Sequence, residues 1–282
     1  MNSVKMDIGK LHPFEGHPFK VQDNEEMDAL VESIQSQGIL TPLIVRKKEN
    51  TTDEYEIISG HRRYRAAMKA GLETVPAFIY ALDRNAAAIM LVDCNLHRER
   101  LLPSEKAFAY KMKLDAMKRQ GHRSDLASTQ VVSRWRSNEK VGEDTHESRE
   151  TVRRYIRLTN LIPELLQKVD DGQIALTPAV ELSFLQAHEQ RQLLDEMGRT
   201  DATPNLSQSQ RLRIFSRDGR LSPDVICAIM SEEKANQKER LRIPVDRVKK
   251  FFPKSYTIAR MEEEIIKLCE AQYRRRMSRE AR

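Results

Sequence analysis

Every strand-like run in the chain lies within its first 81 residues, and after Leu102 only helical patterns remain. In the first part, "PLIVRKK", "EYEIISG" and "VPAFIYA" read as short strands, rich in Ile, Val and Tyr, with the polar turn "ENTTDE" between the first two. Helical stripes lie around them. Met27, Leu30, Val31 and Ile34 recur at helical spacing, with Asp23 or Asn24 to cap the start and Gly38 to end it. "HRRYRAAMKA" and "DRNAAAIMLVDCNLH" read as two more helices. A chain that spends its strands early folds as a mixed α+β domain, here residues 1–102, followed by an all-α remainder. That remainder opens on a long helix, "LPSEKAFAYKMKLDAMKRQG", and "TDATPNLSQS" (200–209) is its linker candidate. The expected divisions are therefore 1–102, 103–200 and a mainly helical C-terminal region at 210–282. In the last helix Met261, Ile265 and Leu268 form a stripe, as a dimer seam or an internal packing face.

Composition narrows the class. The 282 residues suffice for two or three domains. A net charge of +6 suits nucleic acid, although local clustering says more than the total. Cys94, Cys227 and Cys269 are far apart and form no CxxC pair, which argues against a zinc finger or a disulfide framework and for a reducing cytoplasm. Cys227 and Cys269 fall in apolar helical stripes and read as small buried residues. The histidines show no HExxH spacing, and His97 and His122 read as surface or local hydrogen-bonding groups. No run approaches the roughly 18 apolar residues of a membrane span. The opening residues lack the apolar core of a signal peptide, so the expected location is the cytoplasm.

Two stretches carry chemistry. In "IISGHRRYRAAMKAG" a strand turns through Ser59-Gly60 into a helix that begins His61-Arg62-Arg63 and adds Arg65. The first amides of a helix lack internal partners and the dipole is positive there, so this geometry binds anions. Gly60 lets backbone approach a ligand closely. The three arginines cannot share one face, so some are expected to pair with acids, and a solvated basic helix start is the plain alternative.

The second stretch is "ESRETVRRYIRLTNL". On a helical wheel Val152, Tyr155, Ile156 and Thr159 gather on one side, and Arg149, Arg153, Arg154 and Arg157 about 135° away. Ser148 caps the start. One face packs and the other presents arginines, as a helix reading the major groove of DNA requires. An amphipathic helix with a solvated basic face is again the alternative.

Three boxes in register resemble the ParB family. "SGHRRYRAAMKAG" is similar to its "GERRxRAAxxAG" box, "NLHRERLLPSEKAFAY" to "ENxQREDLNPxEEAxAY", and "MDALVESIQSQGILTPLIVR" to the segment before them. Together they cover roughly residues 7–115, with a fainter likeness to about 190. The resemblance implies a ParB/sulfiredoxin-like α+β domain, then a helix-turn-helix domain. It implies a double-stranded, centromere-like DNA site for plasmid, mobile-element or chromosome partition, and a DNA-associated homodimer working with a ParA-type ATPase. It also implies CTP with magnesium as a clamp switch. By position, Ser59, Gly60, His61, Arg62 and Arg63 form the triphosphate cradle, Asn95 is the magnesium or phosphate ligand, and Arg98 and Glu99 lie nearby. "SRETVRRYIRL" is similar to the family's "SRSxVxNxLRLL" recognition helix, which places Ser148, Arg149, Thr151, Arg153, Arg154 and Arg157 at the DNA.

The chain also departs from the pattern. His61 and Cys94 stand where the family has glutamates, and His17-Pro18-Phe19 where it has "QPR". A thiol is a poor ligand for a hard cation, so CTP hydrolysis turns on Cys94. The expected first helix of the helix-turn-helix, "RSDLAST", is followed by a 17-residue insertion, 130–146, that holds Trp135. Thr177-Pro178 replaces a Gly-His pair, and no role carries over to it. Two alternatives stand beside partition. One is a regulator or occlusion factor of the same fold without hydrolysis. The other is a phosphotransfer enzyme of the sulfiredoxin fold, for which the sequence names no general base. The turn has no cysteine nucleophile, which argues against sulfur chemistry.

Overall fold

The computed structural model describes residues 3–96, 98, 101–121, 147–232, 248–253 and 256–280. The chain divides into two compact units, Met1–Glu232 and Glu233–Arg282. The expected helix 123–129, the 130–146 insertion with Trp135, and His97, Glu99 and His122 lie outside the described residues.

The first unit begins as a five-stranded sheet, β1 Val4–Asp7, β2 Leu11–Pro13, β3 Leu43–Lys47, β4 Tyr55–Ser59 and β5 Thr74–Tyr80. Its order is β1-β5-β3-β4-β2, with β3 antiparallel to β4 and parallel to β5. The three strands legible in the sequence form the middle. The two that were not legible, β1 and β2, are the short edges, and they borrow their order from β5 and β4. Successive residues of a strand face opposite ways, and β4 uses this fully. Ile57 packs with Leu43, Val45 and Ala67 beneath helix α2 (His61–Lys69), while Ile58 packs with Leu91 and Val92 of helix α3 (Arg84–Leu96). Helix α1 (Glu25–Gln37) leans on α2 through Met27, Ile34 and Ala66. Of its two candidate caps the structure uses Asn24, whose side chain accepts from the Met27 amide at 3.1 Å.

Helix α4 (Pro103–Gly121) leads into α5 (Arg149–Leu158), α6 (Pro163–Asp170), α7 (Leu176–Leu182), α8 (Ala187–Thr200), α9 (Leu206–Arg217) and α10 (Pro223–Met230). The linker expected at 200–209 is a short joint between α8 and α9. Leu212, Ile226, Ile229 and Met230 lie beyond it, in one core with Leu158, Leu165, Leu182 and Leu193. Pro204 and the polar run around it punctuate the chain without separating domains, because the helices on both sides are apolar on facing sides.

In the second unit helix α11 (Ile258–Glu280) leaves Ile266, Leu268 and Tyr273 exposed. The cysteine expectation needs correction. Cys269 is exposed and Cys227 half-buried, because each sits at the rim of its helix's apolar stripe. Among the described residues no helix is long and apolar enough to cross a membrane.

Candidate functional site

The end of β4 turns into α2 through Gly60, whose φ of 104° is open to glycine and strained for other residues. A Cβ there would meet Leu43 Cγ at 3.0 Å. Nothing in the side chains caps α2, so its first amides open into a cleft of about 980 Å³. Ser59, Gly60, His61, Arg62, Arg63, Asn95 and Arg98, named by the sequence pattern, all line this cleft, and Glu99 lies outside the described residues.

The cradle arginines divide their work. Arg62 donates to Glu26 at 3.0 Å and Arg65 to Asp23 at 2.9 Å, both at the surface. Arg63 is half-buried and braces the chain before β3, donating to the carbonyls of Thr41 and Pro42. Such exposed pairs are worth roughly 0–1 kcal/mol, so Arg62 is released at little cost to an incoming anion.

His61 is a buried residue, 7% exposed, and its ring stacks on that of His17 with centroids 3.7 Å apart. The Nε2 atoms of both are buried without a hydrogen-bond partner. Burial pushes both imidazoles down from 6.5, His61 to about 3 and His17 to about 4. Sequence reading missed His17 as a site residue. The signal was two departures from one pattern, at positions that touch only in the fold.

The far wall comes from α3 and α4. Asn95 is buried, and its side-chain amide donates to the Leu91 carbonyl at 2.7 Å. Cys94 is exposed, and partial burial and then the Asp93 carboxylate push its thiol up. Asp93 itself accepts from the buried Lys113 at 2.6 Å, so it does not replace the family glutamate. Arg98 lies 5.6 Å over the Phe19 ring. Glu105 spends one carboxylate oxygen on the Lys20 amide (2.8 Å) and the other on the Leu102 amide (3.0 Å).

A junction joins this wall to the helices behind it. Asp170, at the end of α6, accepts from the Ser104 amide at 2.9 Å and its hydroxyl at 2.6 Å, capping α4 from outside. The Lys20 ammonium, on the cleft loop, lies 3.4 Å from the same carboxylate. No sequence spacing could have shown these contacts, since they join residues 66 and 150 apart.

The second stretch is a helix as expected. Ser148 caps α5 by accepting from the Thr151 amide at 3.1 Å, and Val152 and Leu158 are buried. Tyr155 meets Tyr110 edge-on. The arginines differ. Arg153 is exposed, with Glu150 at 3.9 Å, and Arg149 is half-buried. Arg154 donates to the Thr177 hydroxyl, the residue left without a role above. Arg157 is drawn inward. It donates to Ser183 Oγ at 3.2 Å, and its guanidinium stacks on Phe184, whose other contact is Arg213 of α9 at 3.6 Å.

A nucleoside triphosphate fits the first cleft: unpaired helix amides, a close backbone approach, and Lys20, Arg62 and Arg98 around the opening. A protein-held magnesium does not fit the described residues. The carboxylates of Glu26, Glu105 and Asp93 are engaged as above, and no group of three His, Cys, Asp or Glu converges.

Residues 1–96 match the model of the ParB N-terminal domain. Residues 1–96 are a ParB N-terminal domain. The likeness extends past the ParB N-terminal domain. Over 187 residues the chain is 34% identical to the chromosome-partitioning protein Spo0J of Thermus thermophilus, covering 66% of this chain and 61% of that protein. Over 196 residues it is 33% identical to a nucleoid occlusion protein of Listeria innocua, covering 69% and 62%. The chain thus spans about three fifths of the length of these relatives. It is also similar to C-terminally truncated ParB from Caulobacter crescentus in two crystal structures. With the centromeric parS site the identity is 24%, over 77% of this chain and all of that one, at a TM-score of 0.44. With CTP-γ-S the identity is 27%, over 65% and 92%, at 0.33.

Proposed function

We propose that this chain is a ParB-type partition protein that holds CTP in the cleft over Gly60 and reads a specific duplex site with α5. The observation that carries the reading is the uncapped start of α2, opening beneath Gly60 into a cleft edged by Lys20, Arg62 and Arg98. CTP is the nucleotide that the likeness of the boxes implies. The first amides of α2, Arg62 on leaving Glu26, and Arg98 just past α3 would hold its phosphates. Bound magnesium would add charge neutralisation, and no residue described here is assigned to hold it. The Lys20–Asp170–Ser104 junction then joins cleft occupancy to the helices that carry α5. At the DNA, Arg149, Arg153 and Thr151 make the contacts, and Arg154 and Arg157 are set by α7 and Phe184. The protein acts as a homodimer with a ParA-type ATPase.

Cys94 favours a second form of the reading, an occlusion or regulatory protein that binds the nucleotide and does not hydrolyse it. Calorimetric titration with CTP, ATP and GTP, with and without the DNA site, tests the first form. Selective CTP binding supports it, and no binding of any nucleotide refutes it. Phosphate release by the parent and by Cys94→Glu separates the two forms.

A further inference from the structure

We infer that the cleft takes the phosphate chain of its nucleotide without a divalent cation, balancing the charge with Lys20, Arg62 and Arg98 and pairing its oxygens with the neutral imidazole of His61, which His17 holds in place. This rests on the reading of the cleft as a nucleotide site and adds how charge is balanced in it. A triphosphate in water carries magnesium because adjacent oxyanions repel. A protein site either offers oxygen ligands to that cation or replaces it with its own donors.

The donors point to replacement. His61 is the first residue of α2, only 7% exposed, and its Nε2 is buried in the cleft with no partner. A buried polar atom left unpaired is costly, and a ligand that pairs with it recovers that cost. With its proton on Nε2 the ring donates to a phosphate oxygen. His17 fixes the plane of that ring by stacking at 3.7 Å and leaves a second unpartnered Nε2 beside it. The oxygen ligands that a hard cation would need are too few. Glu105 is held by two amides and Asp93 by Lys113, and Arg62, on turning to phosphate, frees only Glu26. Cys94 presents a protonated thiol.

The test is calorimetry of the full chain with CTP at neutral pH, once with magnesium and once with EDTA. The expected Kd values agree within about threefold. In His61→Glu a carboxylate enters the same spot, and cation-free affinity is expected to fall at least about tenfold and to return with magnesium. His61→Gln, which keeps an N–H donor, is expected to stay near the parent in EDTA, and its thermal melting checks that the fold survives. A tenfold or greater loss of parent affinity on chelation overturns the inference and leaves the nucleotide site standing. Absence of binding under both conditions overturns the site itself.

Discussion

His17 and His61 stack with their ring centroids 3.7 Å apart, one on the loop after β2 and one opening α2. Neither ring is charged in the fold at neutral pH, since burial holds His61 near 3 and His17 near 4. In the unfolded chain both titrate near 6.5. Their depressed values therefore cost nothing above about pH 6.5 and disfavour the fold increasingly as pH falls from 6.5 toward 4 and 3. Melting temperature is expected to drop across pH 7 to 4.5. It is expected to drop less in the double variant His17→Gln, His61→Gln, and equal slopes would refute the pair's role.

Gly60→Ala places a Cβ 3.0 Å from Leu43 Cγ and 3.3 Å from the Arg63 guanidinium, on a backbone with positive φ. The expected cost is about 1–3 kcal/mol in urea unfolding. Nucleotide binding is expected to weaken with it, because the start of α2 must shift.

Arg62→Ala removes only an exposed ion pair with Glu26 from the free protein. Stability is expected to change by less than about 0.5 kcal/mol. CTP binding is expected to disappear in calorimetry while basal DNA binding stays, and unchanged CTP affinity would remove Arg62 from the cradle.

Asp170→Ala leaves the Ser104 amide and hydroxyl without their acceptor, at a carboxylate only 2% exposed. The expected loss is about 1–3 kcal/mol of stability. DNA binding is expected to lose its response to nucleotide before it loses affinity, read by titrating DNA with and without CTP.

Arg153 and Arg157 are expected to separate. Arg153→Ala lowers affinity for the specific site by about 1–3 kcal/mol if it bonds a base, and an even loss over all sequences would make it a phosphate contact. Arg157→Ala acts on stability, by about 1 kcal/mol, through its stack on Phe184 and its bond to Ser183. Melting curves of both variants beside DNA titrations decide this.

The elements with strong periodicity were legible in the sequence, namely the three inner strands, α1 to α4 and α5. Their apolar spacing reflects local geometry, which sequence encodes directly. β1 and β2 were not legible, since an edge strand of three or four residues takes its order from its neighbour. The cleft was legible at Ser59–Arg63 and at Asn95 and Arg98, because each cluster is contiguous. His17, Lys20, Glu105 and Asp170 were not, because their roles come from contacts across the fold. Arg63 and Arg157 show the opposite limit: a charge pattern counts arginines and does not tell which are spent holding loops and rings.

Helices α5 to α10 close over one set of leucines and isoleucines, from Leu158 to Met230. The six are therefore expected to melt as one cooperative body. Cutting the chain at residue 200 would strip Leu212, Ile226 and Ile229 from that body and present its apolar interior to other molecules. The helix that carries the arginines is thus held in shape in part by residues 50 to 70 positions further along the chain.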